Sequence, residues 1–227
     1  MANLADVLRA RGKNEEAESW YENLAEDGDA TAMANLGELF ENRGEGERAE
    51  SWYRRAADEG STRAMVALAK LLEARGEAKK AVGLYRDAVT AGEHDALPEL
   101  ARLLEDGGEY DEAKVWYEQA AKLGDVASMT GYGRSLERRG EYVEAESWYK
   151  KSAEAGDRSG MTGFASTLER RGEYERAKEW YRLPAHAGDI IALSRLIDLL
   201  EFLGEREDAE AWRRLQDSTP ESEEHYE

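Results

Sequence analysis

The side chains able to do chemistry in this chain are numerous, and their spacing limits what they can do. Three histidines, His94, His186 and His225, stand far apart with no partner at the spacing of a metal site or a catalytic triad. Paired carboxylates such as Glu15-Glu16 and Glu223-Glu224 recur. Acid–base catalysis needs carboxyls whose pKa values are driven apart in a dry cleft, and these fall on faces expected to be wet. Cysteine is absent, which removes disulfides, thiolate metal ligands and a thiol nucleophile. The glycines are isolated, and none precedes the Lys-Ser or Lys-Thr pair of a phosphate loop. The chain therefore reads as no enzyme, with no catalytic residue, metal or cofactor.

What remains is binding chemistry. One position recurring every 32 residues reads Asp6, Glu38, Lys70, Arg102, Arg134, Ser166 and Asp198, and a neighbouring position adds Arg138 and Arg170. The chain has 31 Lys plus Arg against 50 Asp plus Glu, a net charge of -19. Against that background Lys70, Arg102, Arg134, Arg138 and Arg170 stand out, and gathered on one face they would make a local seat for a carboxylate or an acidic peptide. The competing reading is a plain solvated helix surface. Lys70, Arg102 and Arg134 are each followed three residues later by Glu73, Glu105 and Glu137, a helix-surface ion pair worth about 0.2–0.5 kcal/mol. The acidic balance argues against nucleic acid or an anionic membrane as partner, since both are bound by neutralising phosphate. No apolar run approaches the roughly 20 residues of a bilayer span, and Met1-Ala2-Asn3-Leu4 lacks the pattern of a signal peptide. A soluble, cytoplasmic chain is expected, and the excess of arginine over lysine suggests a GC-rich bacterial source.

The elements that position these residues are set by the 32-residue step. Gly-Glu recurs at Gly44-Glu45, Gly76-Glu77, Gly108-Glu109, Gly140-Glu141, Gly172-Glu173 and Gly204-Glu205, and a second glycine at Gly28, Gly60, Gly92, Gly124, Gly156 and Gly188. Two glycines per unit with helix-forming sequence between them predict two short helices, a front and a back one, and so small a hairpin must stack on its neighbours. In the unit 29–60, Asp29 is placed to cap the front helix, while Met33, Leu36, Leu39 and Phe40 have the three-four spacing of a buried face. The back helix buries Ala49, Trp52, Tyr53 and Ala56, and small Gly37 and Ala49 let the two helices approach. Trp-Tyr or its relic recurs at one face of each back helix, with Leu84-Tyr85 and Trp212-Arg213 as the relics, which makes interhelical packing its role rather than a ligand cage.

The pattern Leu36-Gly37, Phe40, Gly44, Ala49, Tyr53 and Ala56 resembles the tetratricopeptide repeat, and the ending SWYRRAADEG resembles the related Sel-one-like repeat. The resemblance implies an all-α, right-handed α-solenoid of seven 32-residue helix-turn-helix repeats. These would occupy 1–28, 29–60, 61–92, 93–124, 125–156, 157–188 and 189–216, with an acidic disordered tail over 217–227. It also implies a non-catalytic scaffold or adaptor whose front helices bind a peptide or protein segment on a concave face. The expected contacts are Lys70, Arg102, Arg134, Arg138, Arg170, Ile191, Ser194 and Phe202, and the expected partner carries acidic and aliphatic residues. At 32 residues the unit is two shorter than the usual repeat of that family, so its superhelical pitch does not carry over.

Departures from the pattern add three expectations. Pro98 sits near a first helical turn, where its missing N–H is harmless, whereas Pro184 falls inside a back helix and should kink or end it, distorting the last junction. Gly83, beside Leu84, weakens its helix. Ile191, Phe202 and Leu203 make repeat 7 more apolar than a terminal repeat should be. That leaves open a self-assembling or engineered repeat scaffold, a homo-oligomer through repeat 7, or a tail draped over it.

Overall fold

The computed structural model describes residues 2–218, with side chains over 4–215. The 217–227 tail thus lies outside the described residues except for its first two, which end the last helix. The described residues form fourteen α-helices and no strand. They divide into two compact units, Met1–Trp116 and Tyr117–Glu227. The first holds α1 (Ala2–Ala10), α2 (Asn14–Glu26), α3 (Ala30–Asn42), α4 (Gly46–Asp58), α5 (Thr62–Ala74), α6 (Ala78–Thr90), α7 (Leu97–Asp106) and the start of α8 (Tyr110–Lys122). The second holds the rest of α8 and α9 (Val126–Arg138), α10 (Tyr142–Glu154), α11 (Arg158–Arg170), α12 (Tyr174–His186), α13 (Ile190–Leu203) and α14 (Arg206–Ser218).

The helix boundaries come from one device used over and over. Thirteen glycines, from Gly12 to Gly204, have φ between 75° and 98°, the left-handed region that side chains avoid. At each, the chain closes the helix behind it: Gly44 N–H donates to Glu41 O at 2.9 Å and Glu45 N–H to Phe40 O at 2.9 Å. Front helices start on a side-chain cap, as Asp29, Ser61, Asp125, Asp157 and Asp189 accept from N–H groups of their first turns. The fourth repeat lacks such a cap; a short 3-10 turn at His94–Ala96 precedes α7, where Pro98 occupies the first turn as its missing N–H predicts.

Each front helix buries its three-four stripe against a back helix. Met33, Leu36, Leu39 and Phe40 are all buried in the first unit, as are Tyr132, Leu136, Phe164 and Leu168 in the second. The tyrosine of each Trp-Tyr pair, Tyr21, Tyr53, Tyr117, Tyr149 and Tyr181, is core, and so is Tyr85 beside Leu84. The tryptophans are only half-buried; Trp148 lies edge-on to Tyr132 and Trp180 to Phe164, with centroids 5.4 and 5.3 Å apart, and Lys151 covers the outer face of Trp148. The small front-helix residue serves the tyrosine rather than the facing alanine: a Cβ on Gly37 would lie 2.4 Å from the Tyr53 ring. Tyr149 is held from both sides, since a Cβ on Gly133 or Gly163 would come within 2.9 or 2.6 Å of its ring.

Neighbouring hairpins are also joined by ion pairs across 25 residues. Arg43 meets Glu18 at 2.6 Å and Arg75 meets Glu50 in the first unit, and Arg171 meets Glu146 at 2.6 Å in the second. At the last junction the acid is replaced by Lys178 and the arginine by Leu203. Lys178, only 6% exposed, instead reaches Glu175 and Glu205, each at 2.7 Å.

One expectation about the back helices does not hold as stated. Pro184 neither ends nor shortens α12, which runs 13 residues to His186 like its siblings. Proline removes only its own N–H, so a single bond to the Trp180 carbonyl is forgone, and with three residues left before the closing glycine almost no helix lies beyond it to be broken. Gly83 lies within α6, which has the same 13 residues as its siblings.

Candidate functional site

In the first unit the front helices α3, α5 and α7 present a face already rich in ion pairs. Arg9 donates to Glu38 at 2.8 Å, Arg63 pairs with the same carboxylate and donates to Asn35 Oδ1 at 3.1 Å, and Tyr21 donates to Asp6 at 2.5 Å. Burial and that carboxylate raise the Tyr21 hydroxyl to about 12. Lys70 is exposed on α5 and makes no ion pair among the described residues. Arg102, half-exposed on α7, pairs with Glu73 of the preceding front helix, with Glu99 at 3.1 Å and with Asp106 at 3.0 Å. Burial opposes its charge, but the bonds to Glu73 and Glu99 outweigh that and raise its pKa.

In the second unit α9, α11 and α13 form the corresponding face. Arg134 and Arg138 are exposed one turn apart on α9, with Arg138 Nη2 3.4 Å from Ser135 Oγ. Arg170 of α11 pairs with Glu137 of α9, which brings Arg170 beside the same turn as Arg138, and its guanidinium lies 4.9 Å from the centroid of Tyr142. Glu137 and Glu73 are thus both engaged by the next front helix. Arg195 of α13 sits 3.8 Å from Glu169. On α13, Ile191 is 67% exposed, Phe202 is 69% exposed and Ser194 is exposed. Ile191, Arg195, Asp198 and Phe202 follow the three-four spacing of a single stripe.

Three features of this face escaped the sequence reading. Ile190 is 73% exposed beside Ile191. Phe202 packs edge-on against Tyr174, centroids 4.9 Å apart, as Arg170 does over Tyr142 one repeat earlier. Repetition of an aromatic at the first residue of α10 and α12 was the available signal. The third is a tyrosine–acid bond spanning 12 residues: Tyr53 donates to Glu41 at 2.6 Å, Tyr149 to Glu137 at 2.8 Å and Tyr181 to Glu169 at 2.9 Å. Burial, and then these carboxylates, push the Tyr53 and Tyr149 hydroxyls above their ordinary range.

Tyr85 breaks the series. Its hydroxyl is buried without a hydrogen bond, while its expected acceptor, Glu73, is held by Arg102. A buried polar group that loses or lacks its partner costs about 1–3 kcal/mol. Tyr85→Phe is therefore expected to leave stability unchanged or raise it, whereas Tyr53→Phe should lower it by about 0.5–1.5 kcal/mol through loss of its bond to Glu41, an exposed carboxylate that water then solvates. Urea unfolding of the two variants reads the contrast, and equal losses would remove the distinction.

Among the described residues no helix is long and apolar enough to cross a membrane, and no three His, Cys, Asp or Glu side chains group as metal ligands. No curated protein matches the chain. Among solved structures, a protective antigen of uropathogenic Escherichia coli with an SLR fold is 27% identical at a TM-score of 0.82, over 93% of this chain and 51% of that one. This chain thus spans about half of that protein. A Sel1 repeat protein from Oxalobacter formigenes is 25% identical at a TM-score of 0.68, over 94% and 95% of the two chains. YrrB, described as a TPR protein with an unusual peptide-binding site, is 20% identical at 0.63, over 77% and 96%, a likeness of fold alone. The tetratricopeptide repeat model matches residues 3–64 and 99–159, more than half of the chain, and the Sel1 repeat model matches 168–189. With its stacked helical hairpins, its glycine-closed turns and these matches, the chain belongs to the tetratricopeptide repeat family and carries a Sel1 repeat near its end.

Proposed function

We propose that the chain is a non-catalytic interaction scaffold that binds a peptide on the front-helix face of its second unit. Repeats of this family generally mediate protein–protein contact, and the finer reading is carried by the residues that α9, α11 and α13 expose. The buried sides of these helices are occupied by packing, while the exposed sides differ from one helix to the next, from Arg134 and Arg138 through Arg170 to Ile191, Ser194 and Phe202. Variable side chains on a repeated scaffold are where specificity is held. Acidic side chains of the ligand would meet Arg134, Arg138 and Arg170, and aliphatic ones Ile191 and Phe202. Lys70 and Arg102 are proposed as contacts on the first unit's own front face, and the repeat boundaries 1–28 through 189–216 as the modules of recognition.

A displayed library of peptides rich in Glu, Asp, Leu and Ile tests this against three proteins. The variant Arg134→Glu with Arg138→Glu is expected to bind selected peptides at least ten-fold more weakly and to associate more slowly, because rim charges act mainly on the on-rate. Arg54→Glu, on α4, where Arg54 pairs with Glu50, is expected to bind like the parent. Circular dichroism must show unchanged helix in both. Equal losses in both variants would mean that the acidic chain responds only through diffuse electrostatics, and the proposed face would be abandoned.

A further inference from the structure

The exposed isoleucines at the start of α13 lie where the chain itself returns. α13 and α14 are antiparallel, joined through Gly204 and Glu205, so Ser218 at the end of α14 is level with Ile190 and Ile191. Leu215, in the last turn of α14, adds a further side chain 42% exposed at this end. From here residues 219–227 depart with the sequence TPESEEHYE, which holds four glutamates, a proline and a tyrosine, and no Lys or Arg. Nine extended residues reach about 30 Å. The 14 residues of α13 rise only about 21 Å. The exposed stripe of α13 carries Ile191, then Arg195, Asp198 and Phe202, with Arg170 on the neighbouring helix, so its one cation stands nearer the start of the helix than its one acid. The guanidinium of Arg195 is 54% exposed, and its acid Glu169 is 3.8 Å away, beyond hydrogen-bond distance.

We propose that residues 219–227 fold back in cis along the exposed side of α13, Pro220 against Ile190 and Ile191, Glu221, Glu223 and Glu224 facing Arg195, and Tyr226 reaching toward Phe202. Length, point of departure and charge all suit this occupant. A tether this short holds the segment at an effective concentration of about millimolar, so a contact too weak to detect with a free peptide is populated within the chain. The segment then occupies part of the face assigned above to a partner, which makes it a built-in competitor. The contact itself stands or falls independently of whether that partner exists.

The absence of cysteine permits a clean test in the full chain. His225→Cys carrying a nitroxide is expected to attenuate the amide signals of Ser194, Arg195 and Asp198 at least five-fold more than that of Leu183, an exposed residue of α12. The same labelled chain with Glu221, Glu223 and Glu224 changed to Gln should bring the two sets within two-fold of each other. Attenuation no greater at Ser194–Asp198 than at Leu183, or a pattern indifferent to the glutamines, would overturn the proposal. So would attenuation that appears only when labelled, isotope-free chains are mixed with unlabelled, isotope-enriched ones, since the occupant would then be a second copy.

Discussion

Lys178→Glu is expected to loosen the last hairpin, α13 and α14, from the second unit at a cost of about 3–5 kcal/mol, the range for stranding buried charge. Resemblance between repeats suggests the opposite, because Glu18, Glu50 and Glu146 occupy the same place in their back helices. Those acids, however, are met by Arg43, Arg75 and Arg171 of the following hairpin. Here the following hairpin offers Leu203 and Glu205, and Lys178 is held above its ordinary pKa by bonds to Glu175 and Glu205. A glutamate would gather three carboxylates at a nearly dry position. Glu175 is exposed, so water screens part of that repulsion and the lower end of the range is the safer figure. Lys178→Met keeps the packing of the stem and should cost less than about 1.5 kcal/mol. Hydrogen exchange would localise the effect to α13 and α14; a Lys178→Glu protein that unfolds as one with the parent's midpoint would refute the assignment.

The pair Gly133→Ala and Gly163→Ala tests the packing in the same unit with the sign reversed from propensity. Alanine in a helix interior is favoured over glycine by about 1 kcal/mol. Each new methyl, though, would enter the ring of Tyr149, which is 2% exposed and flanked by both positions. Overpacking costs about 1–3 kcal/mol per site, which after the propensity gain leaves a net loss of about 0–4 kcal/mol for the pair, and with both sides closed the ring has nowhere to turn, so the upper half of that range, about 2–4 kcal/mol, is expected. Thermal unfolding should show a midpoint lower by about 5–10 °C. A stabilised double variant would mean that the tyrosine yields and the glycines are there for another reason.

The frame of hairpins was legible because it depends on local chemistry. A glycine every 16 residues and a cap such as Asp29 act within one turn of chain, and they stand in the structure where their spacing placed them. The buried stripe of Met33, Leu36, Leu39 and Phe40 was legible for the same reason. Contacts between hairpins were not. Nothing local tells that Glu73 is reached by Arg102 or Glu137 by Arg170, because these contacts depend on how successive front helices lie side by side. The Trp-Tyr pair was legible as a packing element, but not that the tyrosine would take the core and leave the tryptophan at its margin. Pro184 misled because proline's effect was judged by residue type, whereas its place in the final turn decides it.

The ion pairs between hairpins also make the two seams of the second unit unlike one another. In the second unit, the hairpin α9–α10 offers Glu146 to Arg171, and α11–α12 offers Lys178 to Glu205. Were those two hairpins exchanged in order, Lys178 would confront Arg139, and Glu146 would confront Glu205 and find Leu203 where it needs a cation. Both seams would carry like charges while every buried apolar contact of the repeat stayed available. These two hairpins of the second unit share one shape but are not interchangeable parts, because the charges they offer at their seams differ.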